Sequence, residues 1–215
     1  MEVLDDVKRK DMWPTATYTF RLKNIDNNIL KDEITKRGTK NLGFRFDSIQ
    51  GGGWQSNKDL LEEPSSVFVN LKKSLLFSAN TILSPVYRDD AEIKMIGSWA
   101  NISMKGEYTM PHIHEGASWS CVYYVTPTGD ANLYFKDPRT NEHMDSSHFF
   151  TKLPYANMIR KRPFEAGEAI LFPSWLEHGV GPSTENDARI SIACNLLIEG
   201  LNGTNISRKS QPKKG

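Results

Sequence analysis

The chain has 215 residues, 38% of them hydrophobic and 25% charged, with 27 basic side chains against 26 acidic ones. This length suits one substantial core, and the even charge balance excludes bulk electrostatics as the means of choosing a partner, so neither a nucleic-acid footprint nor an acidic tail is expected. No apolar run of membrane-spanning length occurs and no apolar stretch follows the charges of "MEVLDDVKRKDMW", so the expected location is cytoplasmic, with no membrane partner.

Residues 15–23, "TATYTFRLK", alternate as a half-buried strand does, and "NNILKDEITKRGTK" follows with Leu30 and Ile34 at helical spacing. The glycines of "GGGWQS" read as a loop, since aromatic and apolar residues resume at once. Residues 65–85 set Val67, Leu71, Leu75 and Ile82 at helical spacing behind serine caps. From about residue 92 the chain turns to short β-type runs: "EIKMIGSWANISM", "SWSCVYYV", "ANLYFKD", "EAILFPSW", "EHGVG" and "ARISIACNLLIEG". "TPTGD", "DPRTNE", "EAGE" and "GPSTEND" break them with turn chemistry.

Many short strands with polar turns predict a mainly β fold, an antiparallel barrel or jelly roll with flanking helices. Residues 137–162, with His143 and His148, are irregular and are expected as an insert over the barrel mouth. The tail "SRKSQPKKG" is basic, polar and expected to be disordered. The organisation expected is one domain over residues 1–205, with a strand and helix flank at 1–91, a β core at 92–200, and a tail at 206–215. Cys121 and Cys194 sit inside apolar runs and are expected as buried reduced thiols.

"MPHIHEGASWSCVYYV" carries the chemistry. Side chains two apart on a strand share a face, so His112 and His114 can present two imidazoles to one cavity. His178, in "FPSWLEHGVGPS", lies between two strand signals and can supply a third from a distant strand, which leaves coordination positions open. Arg189 and Ser191 share a face of the last strand, where a guanidinium and a hydroxyl can grip a carboxylate. A charge on an otherwise apolar strand needs such a partner.

Together with "GGGWQS", "GSWANI", "LYFKDP" and "AILFPSWLEHGVGP", these motifs resemble the iron(II)- and 2-oxoglutarate-dependent oxygenases of the double-stranded β-helix (cupin-like jelly-roll) fold, and within them a small group common in bacteria and phages. The resemblance spans roughly residues 50–198. It implies Fe(II), 2-oxoglutarate and O2 as cofactor and cosubstrates, His112 and His178 as iron ligands, and Arg189 with Ser191 as the clamp on the distal carboxylate of 2-oxoglutarate. Tyr123 or Tyr124 resembles the aromatic hydroxyl that assists there. Only one of them can face the cavity, because neighbours on a strand alternate.

The family pattern places a carboxylate ligand where this chain has His114. Three resolutions stay open: His114 as third ligand, Glu115 swinging in, or His114 paired with a vacancy at Gly116. Three imidazoles would leave the site one positive charge richer than the usual set. The implied reaction oxidises a substrate C–H bond, in the ordinary case by hydroxylation, with release of succinate and CO2. The substrate is a small metabolite or a protein side chain, and the oligomeric state is open. The alternatives are a three-histidine iron dioxygenase that uses no 2-oxoglutarate, against which Arg189 and Ser191 argue, and a non-catalytic jelly-roll binding protein. Trp54, Trp99, Trp119 and Trp175 are expected mainly as packing residues, and Lys136 and Arg139 as a solvated rim.

Overall fold

A computed structural model describes residues 14–47, 51–138, 158–160 and 163–200. His143, His148 and Arg139, most of the expected insert, and the tail lie outside the described residues. The chain opens with strand β1 (Tyr18–Arg21) and helix α1 (Asn27–Thr39). Asp26 caps α1, its side chain accepting hydrogen bonds from the backbone N–H of Asn28 and Ile29, which would otherwise lack partners in the first turn. Two short strands follow, β2 (Gly43–Arg45) and β3 (Trp54–Ser56), the second where only a loop was expected. Helix α2 (Ser66–Leu83) comes next. Ser65 stands at its N-cap position as expected but makes no side-chain capping bond.

The remaining strands are β4 (Ala91–Ser103), β5 (Thr109–His112), β6 (Trp119–Tyr124), β7 (Leu133–Lys136), β8 (Met158–Arg160), β9 (Glu168–Pro173), β10 (His178–Val180) and β11 (Arg189–Gly200). They form two sheets, one ordered β1-β9-β6-β11-β4-β3-β2 and the other β5-β10-β7-β8, and every strand pairing is antiparallel. From β4 onward the chain alternates between the sheets, β7 and β8 alone being consecutive in one, which is the winding of a double-stranded β-helix. The expected barrel is therefore a pair of open sheets rather than a closed cylinder, because β2 and β8 end the sheets without joining.

Two apolar layers hold this arrangement. On the outer face of the large sheet, Leu30 and Ile34 of α1 and Val67, Phe68, Leu71, Leu75, Ala79 and Leu83 of α2 pack with Cys121, Tyr123, Leu171, Ile192 and Cys194. Each fully buried Leu or Phe contributes roughly 1.5–3 kcal/mol, so this layer fixes the helices to the sheet. Both cysteines are free and buried there, as expected. Between the sheets, Tyr124, Leu133, Phe135, Phe164, Ile170, Phe172 and Leu176 form a second layer toward one end. The other end is left open as a cavity.

Gly52 and Gly53, of the three glycines before β3, line that opening. Gly51, Gly52 and Gly53 have φ of 102°, 71° and 89°, the left-handed side that other residues avoid. Tyr108 donates its backbone N–H to the Gly51 carbonyl, so the turn is laid against the segment that leads into β5.

Candidate metal and cosubstrate site

Register explains which side chains meet. Across β11 and β4, Arg189 lies opposite Ser103, Ser191 opposite Asn101, and Ala193 opposite Trp99. Across β11 and β6, Ser191 lies opposite Tyr124 and Ala193 opposite Val122. Residues directly opposite share a face, so all of these line one cavity of about 380 Å³ between the sheets, as do His112, His114 and His178. The residues between them, Ile190, Ile192 and Cys194, point to the helices.

The same alternation decides between the tyrosines. Tyr124 lines the cavity. Tyr123 is packed on the helical side, its hydroxyl donating to Asn27 Oδ1 at 2.7 Å, and this position removes it from the residues able to touch a bound cosubstrate. Burial pushes the Tyr124 phenol well above its ordinary pKa, so at neutral pH it is a hydrogen-bond donor.

The histidines converge. His112 ends β5 and His178 begins β10, and the two are direct partners across that antiparallel pair. His114 is past the end of β5, so it reaches the cavity through the loop rather than by strand alternation; its backbone N–H donates to the Ser174 carbonyl. One nitrogen from each ring lies within 4.8 Å of the others, and Nε2 of His114 and Nε2 of His178 are 3.3 Å apart. Cis ligands at metal–nitrogen distances of about 2.1 Å stand about 3 Å apart, so this pair is spaced for one ion. Nδ1 of His112 lies 2.8 Å from the Met110 carbonyl and Nδ1 of His178 lies 2.8 Å from the Leu176 carbonyl. A proton on each Nδ1 leaves both Nε2 lone pairs aimed inward, the usual outer support of a metal-binding imidazole.

Electrostatics favour the same state. Burial, reinforced by the nearby His112, pushes His114 down to about 4 and His178 down to about 3, so both are neutral and able to ligate at neutral pH. Glu115 is exposed and outside the cluster, and among the described residues the three histidines are the one metal-competent group of His, Cys, Asp and Glu. His178 is seated against Phe172 and Phe135, with ring centroids 4.6 and 6.1 Å away.

Gly179 explains how His178 is held. A Cβ there would meet the Tyr134 hydroxyl and come within 2.8 Å of the Thr109 carbonyl. Gly179→Ala is therefore expected to push β10 from β5, costing about 1–3 kcal/mol of stability and lowering divalent-metal affinity about tenfold or more through the displaced His178. Thermal unfolding and an Fe(II) titration of the variant measure the two effects.

Arg189 is the second centre. It is buried, and its Nη2 donates to Ser103 Oγ at 3.1 Å. Among the described residues no carboxylate pairs with it, and burial pushes its pKa down, the mark of a charge that has lost water without gaining a counterion. Ser191 is buried beside it on the same face. Among the described residues that line the cavity there is no Asp or Glu. An anion bound in the cavity would supply what Arg189 lacks.

The sequence reading missed Gln55, Lys58, Asn101 and Ser103, all of which line the cavity. Gln55 Nε2 donates to Asn101 Oδ1 at 3.0 Å. Asn101 and Ser103 continue the parity of Trp99 along β4, a signal readable only once β4 is registered against Arg189 and Ser191. Of the tryptophans, Trp54 and Trp99 line the cavity, Trp119 packs in the helical layer, and Trp175 is exposed. Lys136 pairs at the surface with Glu177 at 3.3 Å.

Residues 97–195 match the model of the family described as "Putative 2OG-Fe(II) oxygenase". No curated protein matches the sequence. Among solved structures, the chain is similar to the non-haem α-ketoglutarate-dependent epimerase SnoN from nogalamycin biosynthesis, at 13% identity and a TM-score of 0.63 over 94% of this chain and 86% of that one. It is similar to a Pseudomonas putida prolyl-4-hydroxylase, at 13% identity and a TM-score of 0.57 over 84% and 92%. It also resembles HygX from Streptomyces hygroscopicus, solved with nickel and 2-oxoglutarate bound, at 13% identity and a TM-score of 0.56 over 85% and 82%. At such identities these likenesses establish the double-stranded β-helix fold.

Proposed function

We propose that this chain, whose residues 97–195 match the 2-oxoglutarate- and iron(II)-dependent oxygenase model and contain every candidate ligand and clamp residue, is a dioxygenase holding iron through His112, His114 and His178 and 2-oxoglutarate through Arg189 and Ser191. One observation carries the reading: a buried guanidinium with no carboxylate partner among the described residues shares a cavity with three convergent imidazoles. When bound, iron and 2-oxoglutarate supply oxidising power, with O2 and a substrate C–H bond giving succinate, CO2 and, in a hydroxylation, the alcohol.

The residues of the chain do the holding. His112 and His178 keep their Nδ1 protons on backbone carbonyls, which fixes ring orientation before any metal arrives. Arg189 offers a planar fork to the distal carboxylate of the cosubstrate, Ser191 a hydroxyl, and Tyr124 a phenol that burial keeps protonated. Val122, Leu133, Val180 and Ala193 give the cavity apolar walls that limit water. His114 serves as third ligand in place of the family's carboxylate, in preference to the exposed Glu115.

A three-histidine dioxygenase that uses no 2-oxoglutarate would share this ligand set but leave Arg189 without a purpose. Hydroxylation is proposed as the outcome, on a small metabolite or a protein side chain, by a cytoplasmic enzyme organised as one domain over residues 1–205. No helix of the described residues is long and apolar enough to cross a membrane. The test is incubation with Fe(II), 2-oxoglutarate and O2, following succinate. Iron-dependent succinate release, at a slow basal rate without substrate, is expected; 2-oxoglutarate left intact at every iron concentration contradicts the reading.

A further inference from the structure

Lys58 is a cation at the cavity whose purpose the cosubstrate does not explain. It is exposed and lines the mouth, its Nζ 5.9 Å from the centroid of the Trp99 ring. Trp99 in turn lies against His114, centroid to centroid 5.5 Å, so the ammonium stands one aromatic ring away from the proposed metal site. Its backbone is fixed: the Lys58 carbonyl accepts from Ser98 N–H at 2.9 Å, and Leu61 N–H donates to Ser98 Oγ at 2.9 Å, tying the segment to β4. No ion pair occupies Lys58 among the described residues, although Lys72, Lys94 and Lys136 each have a carboxylate partner.

The charge balance of the cavity says what belongs there. With three neutral imidazoles as ligands, a divalent iron keeps both of its charges; Arg189 adds one and Lys58 another, and no lining carboxylate among the described residues opposes them. The 2-oxoglutarate dianion removes two of these four, which leaves two unmatched. With a carboxylate ligand and no Lys58 the same sum would be zero. Resting on the proposed function above, we infer that the substrate of this enzyme carries a carboxylate, which docks on the Lys58 ammonium over the Trp99 ring and is drawn in by the uncompensated positive charge. Lys58 is thereby a specificity-determining residue rather than a catalytic one, and its indole neighbour gives the body of the substrate an apolar surface to lie on.

The test uses matched pairs that differ only in charge: benzoate and benzamide, phenylacetate and phenylacetamide, hexanoate and hexanamide. Each is titrated without oxygen into the protein loaded with Fe(II) and 2-oxoglutarate, with heat of binding and the visible charge-transfer band of the loaded site as readouts. At least one acid is expected to bind about tenfold or more tightly than its amide, as a charge-assisted contact should. Lys58→Gln is expected to abolish that preference and Lys58→Arg to keep it. Amides that bind as well as acids, no binding by any acid, or a preference that survives in Lys58→Gln would each overturn the inference while leaving the cofactor assignment intact. Failure of the wild-type protein to form the band would instead overturn the cofactor assignment on which the inference rests.

Discussion

Arg189→Met is expected to weaken 2-oxoglutarate binding by about a hundredfold or more and, in the same molecule, to make the cofactor-free protein more stable. In the folded chain the guanidinium is buried with one hydrogen bond, to Ser103 Oγ, and has no carboxylate partner among the described residues. Replacing a poorly compensated buried charge by an apolar side chain of similar length stabilises by on the order of 1–4 kcal/mol. Removing it from the cosubstrate complex leaves the distal carboxylate of 2-oxoglutarate unpaired in the same enclosed space, a loss of about 3–5 kcal/mol, or roughly a hundredfold or more in affinity. Thermal unfolding should show the variant above wild type without ligand. Excess 2-oxoglutarate should raise the wild-type midpoint and leave that of the variant in place. A residue kept only for packing would show neither the gain nor the lost response.

His178→Ala is the second large effect. It removes one of three ligands, and it is the one held most firmly, by the Leu176 carbonyl, by Phe172 and by direct pairing of β10 with β5. Loss of an outer support alone costs 10–100-fold in metal affinity as an order of magnitude, so loss of the ligand should cost at least about a hundredfold and take succinate formation with it. The variant also opens a cavity, so thermal unfolding without metal must accompany the Fe(II) titration. A protein that stays folded but no longer binds iron is the expected result.

The neutral histidines add a pH signature without metal. Both His114 and His178 have folded-state values depressed below the ordinary 6.5, to about 4 and about 3. Below pH 6.5 the unfolded chain therefore takes up protons that the folded chain refuses. Stability without metal should fall as pH drops from about 6.5 toward 3, and His178→Ala should roughly halve the slope between 6.5 and 4 and remove it between 4 and 3. Unfolding midpoints measured across this range check it.

Much of the fold is legible in the residues, for reasons that vary by element. The helices announce themselves through Leu30 and Ile34, and through Val67, Leu71 and Leu75, because burial at 3.6-residue spacing leaves no other reading. β4, β6, β9 and β11 are long enough for their apolar runs to show. β2 and β3 are three residues each and owe their existence to pairing with one another and with β4, which no local signal encodes. β5 owes its place to β10 in the same way.

At the site, the histidine pair, His178, Arg189 and Ser191 could be picked out because charge and imidazole are conspicuous in β-type runs. The choice between Tyr123 and Tyr124 could not be made, since the parity of β6 is set by its register against β11, where Tyr124 meets Ser191. Position 114 was ambiguous because the family pattern has a carboxylate there; strand alternation was also the wrong reason for its direction, since His114 lies outside any strand with its backbone N–H bonded to the Ser174 carbonyl. Lys58 and Asn101 carry no distinguishing neighbours in sequence and acquire meaning only from the cavity they share.

Whether the three histidines and Arg189 form one site for iron and 2-oxoglutarate is decided by anaerobic titration of 2-oxoglutarate into the Fe(II)-loaded protein. The expected result is a visible metal-to-ligand charge-transfer band that saturates at about one equivalent, as a single chelate site requires. Iron binding with no such band at saturating 2-oxoglutarate would rule out a shared site, because it would mean that the cosubstrate does not reach the metal that the histidines hold.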